Sequence, residues 1–229
     1  MKKDWRRPST GTWRTRSGWK TSPRATTSLI IRDNTATDKS KRYTSTINPY
    51  MEIITTPLEG CLIIKPAVFP DARGYFFESF NEERFNEQTG LKVHFVQDNQ
   101  SASGYGVLRG LHYQQGEHAQ AKLVRVISGE VLDVAVDLRA GSATYGQHYS
   151  VLLSAANKLQ FFVPRGFAHG FVVLSETAEF FYKCDNYYNK ASEGGLHYAD
   201  PALNIDWQVP ADQLLVSEKD QVLPNLDKL

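Results

Sequence analysis

Beyond residue 50, apolar and polar positions alternate with a period of two through short runs broken by turn signals at intervals of roughly 8 to 12 residues. That spacing predicts β-strands in a sandwich or barrel. The run "VLDVAVDLR" (131–139) is the clearest, with Leu132, Val134, Val136 and Leu138 on one face and Asp133, Asp137 and Arg139 on the other, the pattern of a half-buried strand. "KLVRVIS" precedes it through Gly129, and glycine takes the positive φ of a tight turn, so the pair reads as a β-hairpin. "QHYSVLLS", "KLQFFVP", "GFVVLS" and "AEFFYKCDNYY" continue the series. Only "NEERFNEQTG" (81–90) carries helix signals: Ser79 or Asn81 to cap it, acids in its first turn and Gly90 after its last. A second short helix is expected near the C-terminus. The pattern predicts an all-β jelly-roll barrel with few, short helices, an architecture that can hold a ligand at its mouth.

Charge changes the picture at residue 50. Residues 1–50 hold twelve Lys or Arg and three Asp, a net of +9, whereas the remainder holds fourteen basic and twenty-two acidic residues, a net of −8. The first segment is rich in Thr, Ser, Arg and Lys and has no sustained apolar period, so burial cannot offset its chain entropy. It reads as a basic, disordered extension (1–50), with the folded domain (51–229) opening on the strand-like "MEIITTPLEGCLIIKP". Trp5, Trp13 and Trp19 among basic residues would suit a nucleic-acid arm, but the bland extension is the preferred reading. No stretch has the roughly 20 apolar residues that span a bilayer, and no apolar leader follows the basic start. Cys61 and Cys184 have neither a metal spacing nor disulfide density, and a soluble cytoplasmic protein is expected.

Histidines in a small barrel raise the question of a metal. Metal-binding barrels of this kind pair two imidazoles on one strand, but "HYQ" puts Gln114 at the second position, a poor transition-metal ligand. His112 and His169 alone fall short of the usual ligand count, so no metal and no cofactor are expected. Acid–base chemistry fits better. In "AKLVRV", Lys122 shares a face with Val124 and Val126, opposite Leu123 and Arg125, and a lysine on an apolar face needs a task or a partner. With His112 ten residues earlier, it supplies an oxyanion-holding cation beside a base that titrates near neutrality. Tyr182, alternating with Phe180, offers a phenolic proton, and Tyr187 and Tyr188 offer flat surfaces for a nucleobase. Arg73 and Arg109 each adjoin a glycine and suit bidentate contact with phosphate. These roles describe proton abstraction next to a carbonyl.

Taken in order, "FPDARGYFFESFN", "FVQDNQS", "VLRGLHYQ", "AKLVRVISGEVLDVAVDLR", "PRGFAHGFVVLSE", "YKCDNYY" and "VSEKD" resemble the dTDP-4-dehydrorhamnose 3,5-epimerase family over residues 51 to about 224. The resemblance implies a cupin-like jelly roll without metal, acting as a homodimer on dTDP-4-keto-6-deoxyglucose in dTDP-L-rhamnose synthesis, with neither nucleic acid nor membrane as partner. It implies His112 as the base at C3 and C5, Asp220 as the carboxylate orienting it, Lys122 as the cation at the C4 oxygen and Tyr182 as the acid on the opposite sugar face. It further implies that Arg73, Phe76 and Glu78 reach the neighbouring subunit's nucleotide, and that Gln97 and Asn99 contact thymine. Arg109 and Lys219 would lie on the diphosphate side or line the site, His169 would face the sugar, Tyr188 would stack on thymidine and Glu193 would touch substrate. "HYADP" (197–201) and "IDWQVP" (205–210) depart from the family pattern outside the proton-transfer set. A relative that inverts one carbon only, or a non-catalytic sugar-binding module, remains as the alternative.

Overall fold

The computed structural model describes residues 50–229, so the readings of the basic segment and its three tryptophans lie outside the described residues. Two six-stranded sheets face one another. The first runs β1 (Met51–Thr55), β2 (Leu62–Pro66), β10 (Gln160–Val163), β7 (Lys122–Ser128), β12 (Thr177–Cys184) and β5 (Gln97–Gly104). The second runs β13 (Glu193–Gly195), β6 (Val107–Gln114), β11 (Phe167–Val173), β8 (Glu130–Asp137) and β9 (His148–Ser154), with β14 (Leu215–Val216) parallel beside β6. A separate exposed hairpin joins β3 (Phe69–Asp71) and β4 (Gly74–Phe76). This is the expected cupin-like jelly roll.

Side chains from both sheets fill the interior: Val124, Phe161 and Phe180 from one meet Ala135, Leu153 and Phe171 from the other. Each fully buried Phe or Leu contributes roughly 1.5–3 kcal/mol of transfer free energy. The outer faces are covered too. Helix α1 (Glu82–Thr89) lays Phe85 on Ile64, Leu123 and Phe162, while the chain after β13 lays Leu196, Leu203 and Trp207 on Leu108, Leu132 and Val134. Asn81 caps α1 by accepting from the Arg84 N–H at 3.1 Å, and Gly90 closes it at φ 71°, as the sequence predicts.

Three expectations need correction. β8 is buried on both faces: Leu132, Val134 and Val136 pack under the C-terminal cover, and Val131, Asp133 and Ala135 are buried as well. Alternation alone cannot reveal a second covering layer. β7 and β8 do not form a hairpin either, for β7 pairs with β10 and β12 while β8 pairs with β9 and β11. Gly129, at φ 79°, turns the chain from one sheet to the other, and a Cβ there would lie 2.1 Å from the Thr177 carbonyl oxygen. The C-terminal helix is replaced by isolated single turns at Ala211–Gln213, Asp220–Val222 and Leu226–Lys228. Pro210 and Pro224 interrupt any longer helix, and Asp200 takes the Leu226 amide at 2.6 Å.

Strands β6 and β11 carry the two histidines side by side, since His112 and His169 are register partners. A glycine contact permits this approach: a Cβ on Gly110, at φ 139°, would fall 2.6 Å from the Gly170 Cα. Gly110→Ala is therefore expected to destabilise the fold by about 1–3 kcal/mol from backbone strain alone, with the clash adding to it. A fall in the urea midpoint checks this, and an unchanged midpoint would show that the strands yield.

Candidate active site

The barrel mouth opens into a cavity of about 480 Å³ whose walls include His112, Lys122, His169, Tyr182, Asp220 and Arg109. It adjoins a second cavity of about 290 Å³ that shares His112, Lys122 and Tyr182 and adds Gln97, Tyr188 and Glu193. Asn99 lines both, and Lys219 lines the first. The inward face assigned to Lys122 is thus found, with Val124 and Val126 below it in the core and Leu123 and Arg125 on the other side.

His112 and Asp220 form the central pair. The carboxylate is buried and, being an acceptor only when ionised, takes the Nε2–H of the ring at 2.7 Å. Its other oxygen accepts from the Gly110 N–H at 3.3 Å, and the Asp220 N–H donates to Ser217 Oγ at 3.1 Å. Burial alone would raise the pKa of Asp220, but the His112 hydrogen bond and charge, the Gly110 amide and Ser217 outweigh it and hold the carboxyl below its ordinary range. With Nε2 spent, Nδ1 is the ring nitrogen left to take a proton from a ligand.

Lys122 Nζ stands 5.9 Å from the centre of the Tyr182 ring. Burial pushes the lysine below its usual range, opposed by Cys184, Asp133 and Glu193, so its ammonium is short of water and strongly available to an oxyanion. Burial pushes the Tyr182 phenol upward, which keeps its proton in place at neutral pH. Cys184, raised by burial to about 11, stays a neutral thiol.

The adjoining cavity is organised by polar contacts. Tyr188 Oη donates to Glu193 at 3.0 Å, and Lys219 Nζ donates to the other Glu193 oxygen at 2.5 Å. Gln97 accepts from the Tyr188 N–H at 3.2 Å and donates to Asn99 at 3.0 Å. Gln114, the residue that displaced a metal from the sequence reading, is buried and accepts from the Asn189 N–H at 2.9 Å. Among the described residues, no group of three or more His, Cys, Asp or Glu could hold a metal ion.

Three expected site residues are not brought here. Arg73 pairs with Asp71 at 2.6 Å on the exposed hairpin, Phe76 is 69% exposed beside it, and Glu78 pairs with Arg84 at 2.8 Å. Conversely, sequence reasoning passed over Asp133, whose carboxylate is fully buried and accepts from His169 Nε2 at 2.9 and 3.0 Å. A lone carboxylate in the middle of an apolar run was the available signal. Asp220 came only from the resemblance, because a single turn more than one hundred residues from His112 carries no pattern of its own.

A jelly roll with a carboxylate-backed imidazole, a half-buried ammonium and a half-buried phenol around one cavity has the groups that a carbon-acid isomerase requires. The particular family follows from comparison. The model described as dTDP-4-dehydrorhamnose 3,5-epimerase matches residues 55–228, and the chain belongs to this family. It is 55% identical to the dTDP-4-dehydrorhamnose 3,5-epimerase of Salmonella typhimurium over 179 residues, 78% of this chain and 97% of the relative. The crystal structure of the enzyme from Elizabethkingia anophelis is 61% identical with a TM-score of 0.76, covering 78% of this chain and 98% of that one. That of a Legionella pneumophila 3,5-epimerase in complex with dTDP-4-keto-L-rhamnose is 51% identical at TM-score 0.75, covering 78% and 94%. A Streptomyces bikiniensis 3′-monoepimerase bound to dTDP-quinovose is 32% identical at TM-score 0.70, covering 75% and 86%.

The lowered Asp220 has a stability consequence. A carboxyl whose folded value lies below its unfolded one, about 3.9, contributes stability that is complete above that pH and is lost as pH falls through the folded value. The urea midpoint of the parent is expected to exceed that of Asp220→Asn at pH 6, with the gap closing as the solution is acidified below about 4. A gap independent of pH would show that the carboxylate charge does not contribute.

Proposed function

We propose that this isomerase epimerises dTDP-4-keto-6-deoxyglucose at C3 and C5 to dTDP-4-keto-L-rhamnose, by proton abstraction next to the 4-keto group and reprotonation on the opposite face. The observation that carries the reading is the Asp220–His112 pair facing the same cavity as Lys122 and Tyr182. Relatives at 51–55% identity that carry this activity in name support both carbons as targets.

The chemistry follows from the charges. The keto group acidifies both adjacent carbons, yet a carbon acid still requires a placed base and a cation at the developing oxyanion. His112 starts neutral, its proton on Nε2 held by Asp220, and Nδ1 takes the carbon-bound proton. The imidazolium then sits beside a carboxylate, which stabilises it. Lys122 meets the C4 oxygen as it becomes an enolate, and Tyr182 gives its proton to the carbon from the other side. Solvent then returns a proton to Tyr182 and takes one from His112, so the cycle conserves protons and uses no cofactor.

In the adjoining cavity, Tyr188 serves as a stacking platform for the thymine ring, with Gln97 and Asn99 at its edge. Arg109 and Lys219 face the diphosphate, Glu193 orders Lys219 and Tyr188, and His169 faces the sugar. Arg73, Phe76 and Glu78 act in trans: the exposed hairpin of one subunit completes the nucleotide cavity of a second in a homodimer. Phe69, Tyr75 and Phe76 at 50–69% exposure are the apolar surface such a partner would cover. Residues 51–229 form the epimerase unit, and a cytoplasmic setting fits a nucleotide-sugar substrate and two unpaired cysteines. No helix among the described residues is long and apolar enough to cross a membrane.

Incubation with dTDP-4-keto-6-deoxyglucose in D2O is expected to place deuterium at both C3 and C5, and a chain beginning at Met51 should behave identically. His112→Ala should abolish incorporation, and incorporation that survives would remove His112 as base. Tyr182→Phe should exchange without completing inversion, and Lys122→Ala should lose roughly 2.7–4 kcal/mol of barrier lowering, a hundredfold or more in rate. The likeness to a 3′-monoepimerase supports one second reading, inversion at C3 alone, in which deuterium would be confined to that carbon.

The trans arrangement has its own test. Mixing Arg73→Ala with Lys122→Ala subunits should regain activity, because a hybrid dimer holds one cavity with both residues intact. Two impaired variants that stay impaired when mixed would place Arg73 outside the neighbouring cavity.

A further inference from the structure

We propose that Asp133 is a positioning residue of the site: it fixes the His169 ring with Nδ1 turned into the cavity, so that a second carboxylate-backed imidazole faces the sugar beside His112. The inference rests on the epimerase reading for its substrate, but its geometry stands apart from it.

Asp133 lies on β8 with no exposed surface, and both of its oxygens accept from one atom, His169 Nε2, at 2.9 and 3.0 Å. An ionised carboxylate has no proton to give, so Nε2 carries the hydrogen. His169 is itself buried yet lines the larger cavity, and no buried side-chain nitrogen or oxygen among the described residues lacks a hydrogen bond. Nδ1 has no hydrogen-bond partner among the described residues, so it is not one of these fully buried atoms. It is the ring atom open to the cavity. Phe180 stacks on the ring at 6.3 Å and 26° and, with the two Asp133 contacts at Nε2, favours this orientation.

Register reinforces the point. His169 pairs with His112, so the two imidazoles leave neighbouring strands on the same side of the sheet, each held at Nε2 by a carboxylate from a different element. A buried carboxylate is costly, and a purely structural polar contact would be replaceable by apolar packing. Here the charge also lies close enough to support the ammonium of Lys122 across the cavity wall. Asp137 provides the contrast on the same strand: equally buried, it is consumed by Arg139, Ser142 and Thr144 in the loop before β9 and has no link to the cavity.

The direct test is the tautomer of His169 in the full-length, ligand-free protein, read from imidazole ¹⁵N shifts assigned by their loss in His169→Gln. The expected spectrum has Nε2 protonated; a proton on Nδ1 alone would overturn the proposal whether or not any variant folds. Asp133→Asn, whose amide can donate to Nε2, should move the proton to Nδ1 and lower kcat on the order of 10- to 100-fold, the usual loss when the carboxylate behind a working imidazole is removed. The double variant Asp133→Asn with His169→Gln should be no slower than His169→Gln alone. Asp137→Asn is the control, expected to lower the unfolding midpoint and leave the His169 shifts unmoved. A wild-type kcat in Asp133→Asn, or losses that multiply in the double variant, would sink the inference. Failure of the parent protein to epimerise the sugar would sink the substrate reading instead and leave the tautomer result standing.

Discussion

The cost of holding charge inside an apolar barrel organises this molecule. Asp220, Asp133 and Asp137 are buried and Lys122 is half-buried in the cavity wall, and an isolated ion in such a place is costly. Each carboxylate is therefore matched: Asp220 with His112 and the Gly110 amide, Asp133 with His169, Asp137 with Arg139 and two hydroxyls. Lys122 has no hydrogen-bonded counter-ion among the described residues. It is held by the field of several neighbours, which leaves its protons for a ligand. The difference between a satisfied charge and one deliberately left open separates scaffold from site.

The same constraint explains why the outer layers matter. Asp220 reaches His112 only because the C-terminal chain is pinned over the second sheet by Leu196, Leu203 and Trp207, with the Trp207 indole N–H donating to Tyr198. β14 then runs parallel to β6 and delivers the turn that begins at Asp220. Loosening that cover would withdraw the carboxylate from the imidazole, so packing remote from the cavity holds the His112–Asp220 pair together.

What the sequence made legible was local. Period-two alternation located the strands, and the side-chain set Asn81 to Gly90 located helix α1 to within a residue at each end. The inward face of Lys122 and the company of Phe180 and Tyr182 also followed from alternation, because that property survives any choice of partner strand. Partner choice did not follow. "KLVRVIS" and "VLDVAVDLR" look like a hairpin because Gly129 suits a turn, yet a jelly roll sends consecutive strands to opposite sheets, and nothing within either strand encodes that. The double burial of β8 was hidden for a related reason: its second cover comes from residues 196–209, far along the chain.

The site divides along the same line. His112 and Lys122 were readable as a pair since a short connection links their strands, whereas Asp220 and Asp133 became meaningful only once distant segments met. Asp133 was the more deceptive, because a carboxylate alternating with Leu132 and Val134 is the ordinary sign of a wet face. In this barrel the face is dry, and a polar residue in a dry wall has to be spent on something. Both buried carboxylates beside the cavity are spent on imidazoles, and both take Nε2, which leaves two Nδ1 atoms on one side of one sheet. A site that must act at two carbons of one ring has reason to hold two oriented nitrogens rather than one. The sheet register that places His112 opposite His169 thus does chemical work that neither strand, read alone, announces.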